Sequence, residues 1–446
     1  MHIQRAPISI SNDASWQQHP LSLSRYELSL LCKTLGRAVL LDGNVSQHKP
    51  SYIIFSASPE YDANIEDLQS QNSLQTIPSS FAALPFVCGH LGFVSYDYAE
   101  SLTISKQLEH GDSGLPDYSI GYYAWSYVQP VNKAEGVLTI SPQASTKTRR
   151  ALQRALEQLE KIATDAPPPI RKEELKLNWR HSSSKESYDY AFNKVQNYIL
   201  DGDTYQVNLT QRYEATSPLP PSELYFSLKR TIDAPYCCYL AINPQQAVLS
   251  FSPEQFIQIK DRKITTRPIK GTAAYKDELS AENLKNSNKD LAENLMIVDL
   301  MRNDLSKVCK PKSVRTPDLF AVERHKELLH LVSTVTGSLR NEISEFGAFL
   351  SSFPGGSITG APKKRAMEII SEIETHRRGA YCGSIFYCND NGNFDSNILI
   401  RTIVANNENL FCWGGGGIVA DSTLESEYRE SIIKVEHLTG QINKSK

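Results

Sequence analysis

The chain has 446 residues, 40% of them hydrophobic and 22% charged, with 47 Lys and Arg against 50 Asp and Glu and a formal net charge of −3. Its 23 glycines and 23 prolines are near ordinary usage, so collagenous, low-complexity and largely disordered readings fall away. The near-balanced charge lacks the basic excess that phosphate-backbone binding leaves in a sequence, and no nucleic-acid partner is expected.

Met1 to Pro7 offer no apolar core or small-residue cleavage site, so no secretory signal is expected there. No run approaches the roughly 18 apolar residues needed to span a bilayer, and no membrane association is expected. The eight cysteines form no CxxC pair and no zinc or disulfide spacing. They read as buried thiols in a reducing compartment, by default the cytoplasm.

Through the N-terminal third, β-like runs at 37–41, 52–56, 118–128 and 136–140 alternate with turns. An amphipathic helix over 145–163 follows, with Ala151, Leu152, Ala155, Leu156, Leu159 and Ile162 on one face. Pro167, Pro168 and Pro169 then remove three backbone donors and break any regular element. Ser183 and Glu186 have capping-box spacing and introduce a helix near 188–200, stopped at Gly202. Strands are expected at 206–213, 238–242, 247–251, 256–259 and 263–265, and late in the chain at 379–388, 395–404 and 409–413. Strands follow strands more often than they alternate with helices, which favours α+β with antiparallel sheets. The division is an N-terminal part, 1–166, and a C-terminal part, 180–440, packed as one compact unit with the triproline as a loop.

Generic catalytic motifs are missing. Neither Gly414–Gly417 nor the Gly356–Gly360 segment is followed by the Lys-Ser/Thr of a phosphate-binding loop, and there is no GxSxG or HExxH. No cysteine sits in the local signature of a glutamine amidotransferase. What remains is a C-terminal collection. Ser252-Pro253-Glu254 places a carboxylate at a strand end, and Lys270 stands beside Gly271 in an otherwise apolar turn. Asp290 and Glu293 are three apart on a helix, as are Glu427 and Glu430, with Lys434 one turn on. Two such carboxylate pairs could hold a hard cation such as Mg²⁺, although by spacing alone most are solvated helix faces. The segment from Phe353 to Lys364 runs into a helix and reads either as an anion-binding N-terminus or as a tight structural turn.

In this order the segments resemble the chorismate-utilising enzymes, the family of anthranilate synthase component I, isochorismate synthase and salicylate synthase. The likeness rests on Gly202-Asp203-Thr204-Tyr205-Gln206-Val207-Asn208-Leu209, Ser252-Pro253-Glu254, Gly271-Thr272 and the Asp299-Leu300-Met301-Arg302-Asn303-Asp304 run. It continues through His330-Leu331-Val332-Ser333, Thr359-Gly360-Ala361-Pro362-Lys363, Arg378-Gly379-Ala380-Tyr381-Cys382-Gly383, Ile400-Arg401-Thr402 and Gly417-Ile418-Val419-Ala420-Asp421-Ser422. The resemblance implies a fold like that of anthranilate synthase component I, two antiparallel sheets forming a sandwich flanked by helices. Pro268-Ile269-Lys270-Gly271-Thr272, where anthranilate synthases look like Pro-Ile-Ala-Gly-Thr, resembles the aminodeoxychorismate branch of the family. The Gly415-Gly416-Gly417 string points the same way.

The branch implies replacement of the chorismate 4-hydroxyl by an amino group without loss of pyruvate. Two allylic displacements through Lys270 account for amination at the carbon that loses hydroxyl, with Glu254 as general acid. By the same resemblance Glu293 and Glu430 would hold Mg²⁺, helped by Asp290 and Glu427. Tyr381, Arg401 and the Gly415, Gly416 and Gly417 amides would meet the enolpyruvyl carboxylate. Thr272, Gly271 and His330 would line the ring pocket, and Lys434 would balance the carboxylates. Ammonia would come from solution or from a separate glutamine amidotransferase subunit. Family members can also bind tryptophan in the N-terminal part. Here Asp42, or Gly43 if the alignment slips by one, takes the usual serine's place opposite Pro235, Tyr236 and Cys237.

Overall fold

A computed structural model describes residues 8–43, 51–70, 77–104, 113–161, 177–325 and 328–440. The triproline and the last two residues of the predicted 145–163 helix lie outside these. Among the described residues the strands form a 12-stranded and a 10-stranded sheet, in which every strand pairing is antiparallel. The expected α+β class and paired antiparallel sheets are what the chain adopts.

Each sheet mixes strands from before and after the triproline. In the larger sheet Val39–Asp42 pairs with Tyr236–Asn243, setting Leu40 opposite Tyr239. In the smaller one Gly89–Val94 pairs with Ser384–Asn389, setting Phe93 opposite Ile385. Period-two alternation then sorts side chains between two cores. Val248 and Val404 point into the core between the sheets, with Phe256 and Phe386 from the smaller sheet. Their neighbours Ala247, Leu249, Ile403 and Ala405 point the other way, onto Leu28, Leu152 and Leu224 of covering helices. A sheet covered on both faces explains why these strands read as continuous apolar runs.

The structure departs from the sequence reading at four informative places. The run expected as one strand over 118–128 is two, Tyr118–Tyr123 in the smaller sheet and Trp125–Pro130 in the larger. The run over 395–404 likewise splits into Phe394–Asn397 and Thr402–Asn406, one in each sheet. Ile398 and Leu399 between them are buried, so the hydropathy pattern carries no punctuation at the crossing. The strand expected from Gly379 begins only at Ser384, because Gly379 and Cys382 have φ of 55° and 62°. The helix Lys185–Leu200 is capped by Ser184, which accepts from the Ser187 amide, rather than by the predicted Ser183–Glu186 box.

The core between the sheets is anchored by aromatic rings. Phe349 is fully buried and packs on Phe256, Phe353, Phe386 and Phe394, with ring centroids 5.2 to 5.7 Å apart. Phe349→Ala is expected to cost about 3–5 kcal/mol, read as a lower urea midpoint. An unchanged midpoint would show that the ring cluster does not hold the sheets together.

Candidate functional site

Two of the predicted site residues stand where the chain passes from one sheet to the other. Gln246–Ser252 belongs to the larger sheet and Gln255–Lys260 to the smaller, and Glu254 lies in the link. Arg401 ends the link between Phe394–Asn397 and Thr402–Asn406, at φ 50°. The links are tied to each other by backbone bonds, Ile398 N–H to Glu254 O at 3.1 Å and Phe251 N–H to Arg401 O at 3.0 Å.

Glu254 is 6% exposed, and burial pushes its carboxyl up to about 7. The Ser357 hydroxyl, donating to Oε1 at 2.8 Å, and the charges of Lys270 and Lys434 work against that rise. The group can therefore exchange a proton near neutrality.

Lys270 sits in the strand Ile269–Ala274, whose pairing with Leu328–Ser338 shifts register between Ile269 and Thr272. The shift lifts Lys270 and Gly271 out of the regular ladder. Gly271 has φ 84°, which a side chain rarely adopts, and Asp290 Oδ1 lies 3.0 Å from where its Cβ would be. The Lys270 ammonium has a lowered pKa, first through burial and then through Lys434; Glu293, Glu254 and Glu430 oppose this. Beyond the irregularity Thr272 faces His330 in register, with Oγ1 and Nδ1 3.0 Å apart on the exposed side.

The second carboxylate pair comes from the helix Leu424–Thr439, which packs on the strand Asn409–Ile418. A Cβ on Gly416 would lie 3.0 Å from Glu427 Oε2, 3.5 Å from Glu430 Oε1 and 3.6 Å from Lys434 Nζ, so all three side chains converge on that peptide. Lys434 donates to Glu430 at 2.6 Å and to Gly415 O at 2.9 Å. Burial pushes the Glu427 carboxyl up and the charge of Glu430 adds to it, while a Ser422 hydrogen bond at 2.8 Å partly offsets them. Burial acts likewise on Glu430, but Lys434, Lys270 and Lys289 outweigh it and its carboxyl lies low.

Among the described residues no three His, Cys, Asp or Glu side chains stand close enough to form a metal cluster. The donor chemistry nevertheless suits a hard cation: four carboxylates from two helices, one of them driven toward its neutral form by burial beside another acid. Added positive charge there would relieve that repulsion.

Tyr381 is buried and stacks on Trp413, with centroids 5.7 Å apart and rings within 8° of parallel. The Cys382 amide donates to Leu399 O at 2.9 Å, which joins the Tyr381 turn to the link carrying Arg401. Burial lowers the Arg401 pKa, and among the described residues no opposing charge acts on it, so its guanidinium suits an anionic ligand.

Pro235, Tyr236 and Cys237 lie elsewhere, lining a cavity of about 330 Å³ with Leu41 and Gly43. Asp42 does not join them. Strand alternation turns its side chain to the opposite face, where it is fully buried and ion-paired with Arg25. The place across from Pro235 is therefore taken by Gly43, where a Cβ would run into the Pro235 carbonyl.

Two polar side chains here were given no role from the sequence. Gln206 is fully buried, neither end of its amide has a hydrogen-bond partner among the described residues, and its Nε2 lies 2.6 Å from where a Gly417 Cβ would be. Gln206 opens a strand in which polar and apolar residues are mixed, so its burial left no local signal in the sequence. Ser357 had none, being one of several polar residues in a glycine-rich turn.

The chorismate binding enzyme family matches residues 41–440. Aminodeoxychorismate synthase component 1 of Escherichia coli is 40% identical over 372 residues, covering 82% of this chain and 80% of that protein. Anthranilate synthase component 1 of Cereibacter sphaeroides is 33% identical over 373 residues, covering 79% and 73%. The crystal structure of anthranilate synthase component I from Streptococcus pneumoniae superposes with a TM-score of 0.76 at 28% identity, covering 89% of this chain and 95% of that one. Sequence, sheet topology and the convergence of acids and lysines agree, and the chain belongs to the chorismate binding enzyme family.

Proposed function

We propose that this chain is the chorismate-aminating component of an aminodeoxychorismate synthase, making 4-amino-4-deoxychorismate, a precursor of para-aminobenzoate and folate. The observation that carries the reading is Lys270, an amine with lowered proton affinity in the same field as the raised acid Glu254. A free lysine, with a pKa of roughly 10.4, is a poor nucleophile at neutral pH, and burial beside a second cation is the physical remedy.

In the first displacement the Lys270 amine bonds to ring carbon 2, both conjugated ring double bonds shift by one position, and the 4-hydroxyl leaves as water with the Glu254 proton. In the second, ammonia bonds to carbon 4, both double bonds shift back, and Lys270 departs as the free amine. The new ammonium returns one proton to Glu254, so the enzyme ends as it began. Arg401 and Tyr381 would hold the enolpyruvyl carboxylate with the Gly415–Gly417 amides, while Thr272, His330 and Gly271 border the ring. Mg²⁺, held by Glu293 and Glu430 with Asp290 and Glu427 beside them, would supply positive charge against the ring carboxylate.

The 40% identity to an aminodeoxychorismate synthase component, against 33% to an anthranilate synthase component, supports amination without pyruvate release. The component 1 in the relatives' names supports a second component, to which we assign the glutaminase that delivers ammonia. We assign the cytoplasm as the compartment, in keeping with eight free cysteines. No helix among the described residues is long and apolar enough to cross a membrane. The cavity beside Gly43 and Pro235 is assigned to tryptophan, without a side-chain contact from position 43.

With chorismate, Mg²⁺ and ammonium the chain is expected to yield aminodeoxychorismate, identified by mass and by coupling to its lyase. Anthranilate with pyruvate release would sink the reading. Lys270→Ala is expected to lose at least about a hundredfold in amination while binding chorismate within severalfold of wild type; near-normal turnover would exclude the covalent route. Tryptophan is expected to raise the thermal midpoint, and a flat titration would remove it as the cavity's ligand.

A further inference from the structure

The hydroxyl of Ser357 approaches one oxygen of Glu254 and leaves the other without a protein partner among the described residues. Ser357 Oγ donates to Oε1 at 2.8 Å. That hydroxyl belongs to a largely buried turn that is hydrogen-bonded on both sides. Ser357 belongs to the 3-10 turn Gly356–Ile358. Before the turn, Lys363 Nζ donates to Ser352 O at 2.9 Å and to Pro354 O at 2.7 Å, while its charge is met by buried Asp304 at 2.6 Å. After the turn, the Ile358 carbonyl accepts from Asn208 Nδ2 at 3.0 Å and from Arg378 Nη1 at 2.8 Å. Arg378 is itself locked by Glu374, with Nη2 and Oε1 2.8 Å apart. Thr359 Oγ1 closes the loop on Gly355 O at 3.0 Å.

A protonated carboxyl has one oxygen that donates and one that can only accept. A hydroxyl fixed at Oε1 makes that oxygen the acceptor and leaves the proton on Oε2. We propose that Ser357 is the positioning residue of the proton donor: it selects Oε2 as the oxygen that carries the proton to the leaving hydroxyl, and the clamped turn holds that choice through turnover. This inference rests on the reading of Glu254 as general acid. It also accounts for the two buried ion pairs, Lys363–Asp304 and Arg378–Glu374, on either side of a turn that itself presents no charge to the site.

The hydrogen bond also acts on the titration. The groups facing Glu254 are the Ser357 hydroxyl, Lys270 from its strand and Lys434 from the C-terminal helix, and all three favour the carboxylate against the burial that raises it. A general acid must be protonated, so activity falls as pH rises through its pKa, near 7 in the wild type. Removing the hydroxyl stabilises the neutral form and moves that falling limb to higher pH. Loss of the oxygen selection lowers the rate at every pH, including well below the limb.

The test compares Ser357→Ala, Ser357→Thr and Glu254→Gln in the full chain, with Mg²⁺ and free ammonia held constant across pH. Ser357→Ala is expected to lower kcat about tenfold to a hundredfold, with KM for chorismate within about threefold and the basic limb shifted upward. Ser357→Thr, which keeps a hydroxyl, is expected to recover most of the rate and the original limb. Wild-type kcat and pH profile in Ser357→Ala overturn the proposal, as do equal losses in the alanine and threonine variants. Glu254→Gln separates the two ideas. If it is inactive while Ser357→Ala is normal, only the positioning role fails; if it turns over normally, the general-acid reading fails.

Discussion

The site depends on a backbone constraint where the two sheets exchange chain. A peptide passing between sheets leaves both ladders, and its buried N–H and C=O groups must find other partners. Here the Glu254 link and the Arg401 link satisfy each other, through Ile398 N–H to Glu254 O and Phe251 N–H to Arg401 O. Two segments almost 150 positions apart are thereby locked in register, and each carries an ionisable side chain, Glu254 on one and Arg401 on the other. The acid and the guanidinium are placed by the requirement that the crossing be hydrogen-bonded.

Around that crossing the charges are distributed unevenly. Burial and then the charge of Lys434 weaken the hold of Lys270 on its proton, while Glu293, Glu254 and Glu430 pull the other way. Glu430 has a lysine partner at 2.6 Å and stays ionised, whereas its neighbour Glu427 is driven toward neutrality by burial. Identical side chains three positions apart on one helix are thus shifted in opposite directions. Charges of both signs are what any pocket needs to attract a cation and a carboxylate together, which neither an all-acid nor an all-base pocket can do. The whole-chain net charge of −3 conceals it.

Much of the structure was legible in the sequence where a local rule applied. The α+β class followed from strands succeeding strands. The amphipathic face of Leu152, Ala155, Leu156 and Leu159 is buried as its period required. The motif-bearing residues Lys270, Glu254, Glu293, Glu430 and Lys434 share one electrostatic neighbourhood. Errors came where the same local pattern suits two environments. An apolar run that crosses between sheets looks like one long strand, as at 395–404, because both sheets bury it. Asp42 and Gly43 both stand as candidates for the position opposite Pro235, since sequence cannot say which face of a strand an isolated residue takes; a one-residue shift in phase exchanges them, and the fold selects Gly43.

By itself the sequence determined the family and the chemical character of the site: a lysine beside a glycine, an acid after a strand, and two carboxylate pairs at helical spacing. Each is a property of residues within a few positions of one another, where backbone geometry translates spacing into direction. The tertiary structure alone decided which atoms meet. Ser357 reaches Glu254 across 103 positions, and Glu427, Glu430 and Lys434 gather on the Gly416 peptide because a helix packs on that strand. Those contacts depend on sheet crossings and a clamped turn, and proton affinities depend on burial. Burial is a property of the whole fold, which no local spacing encodes.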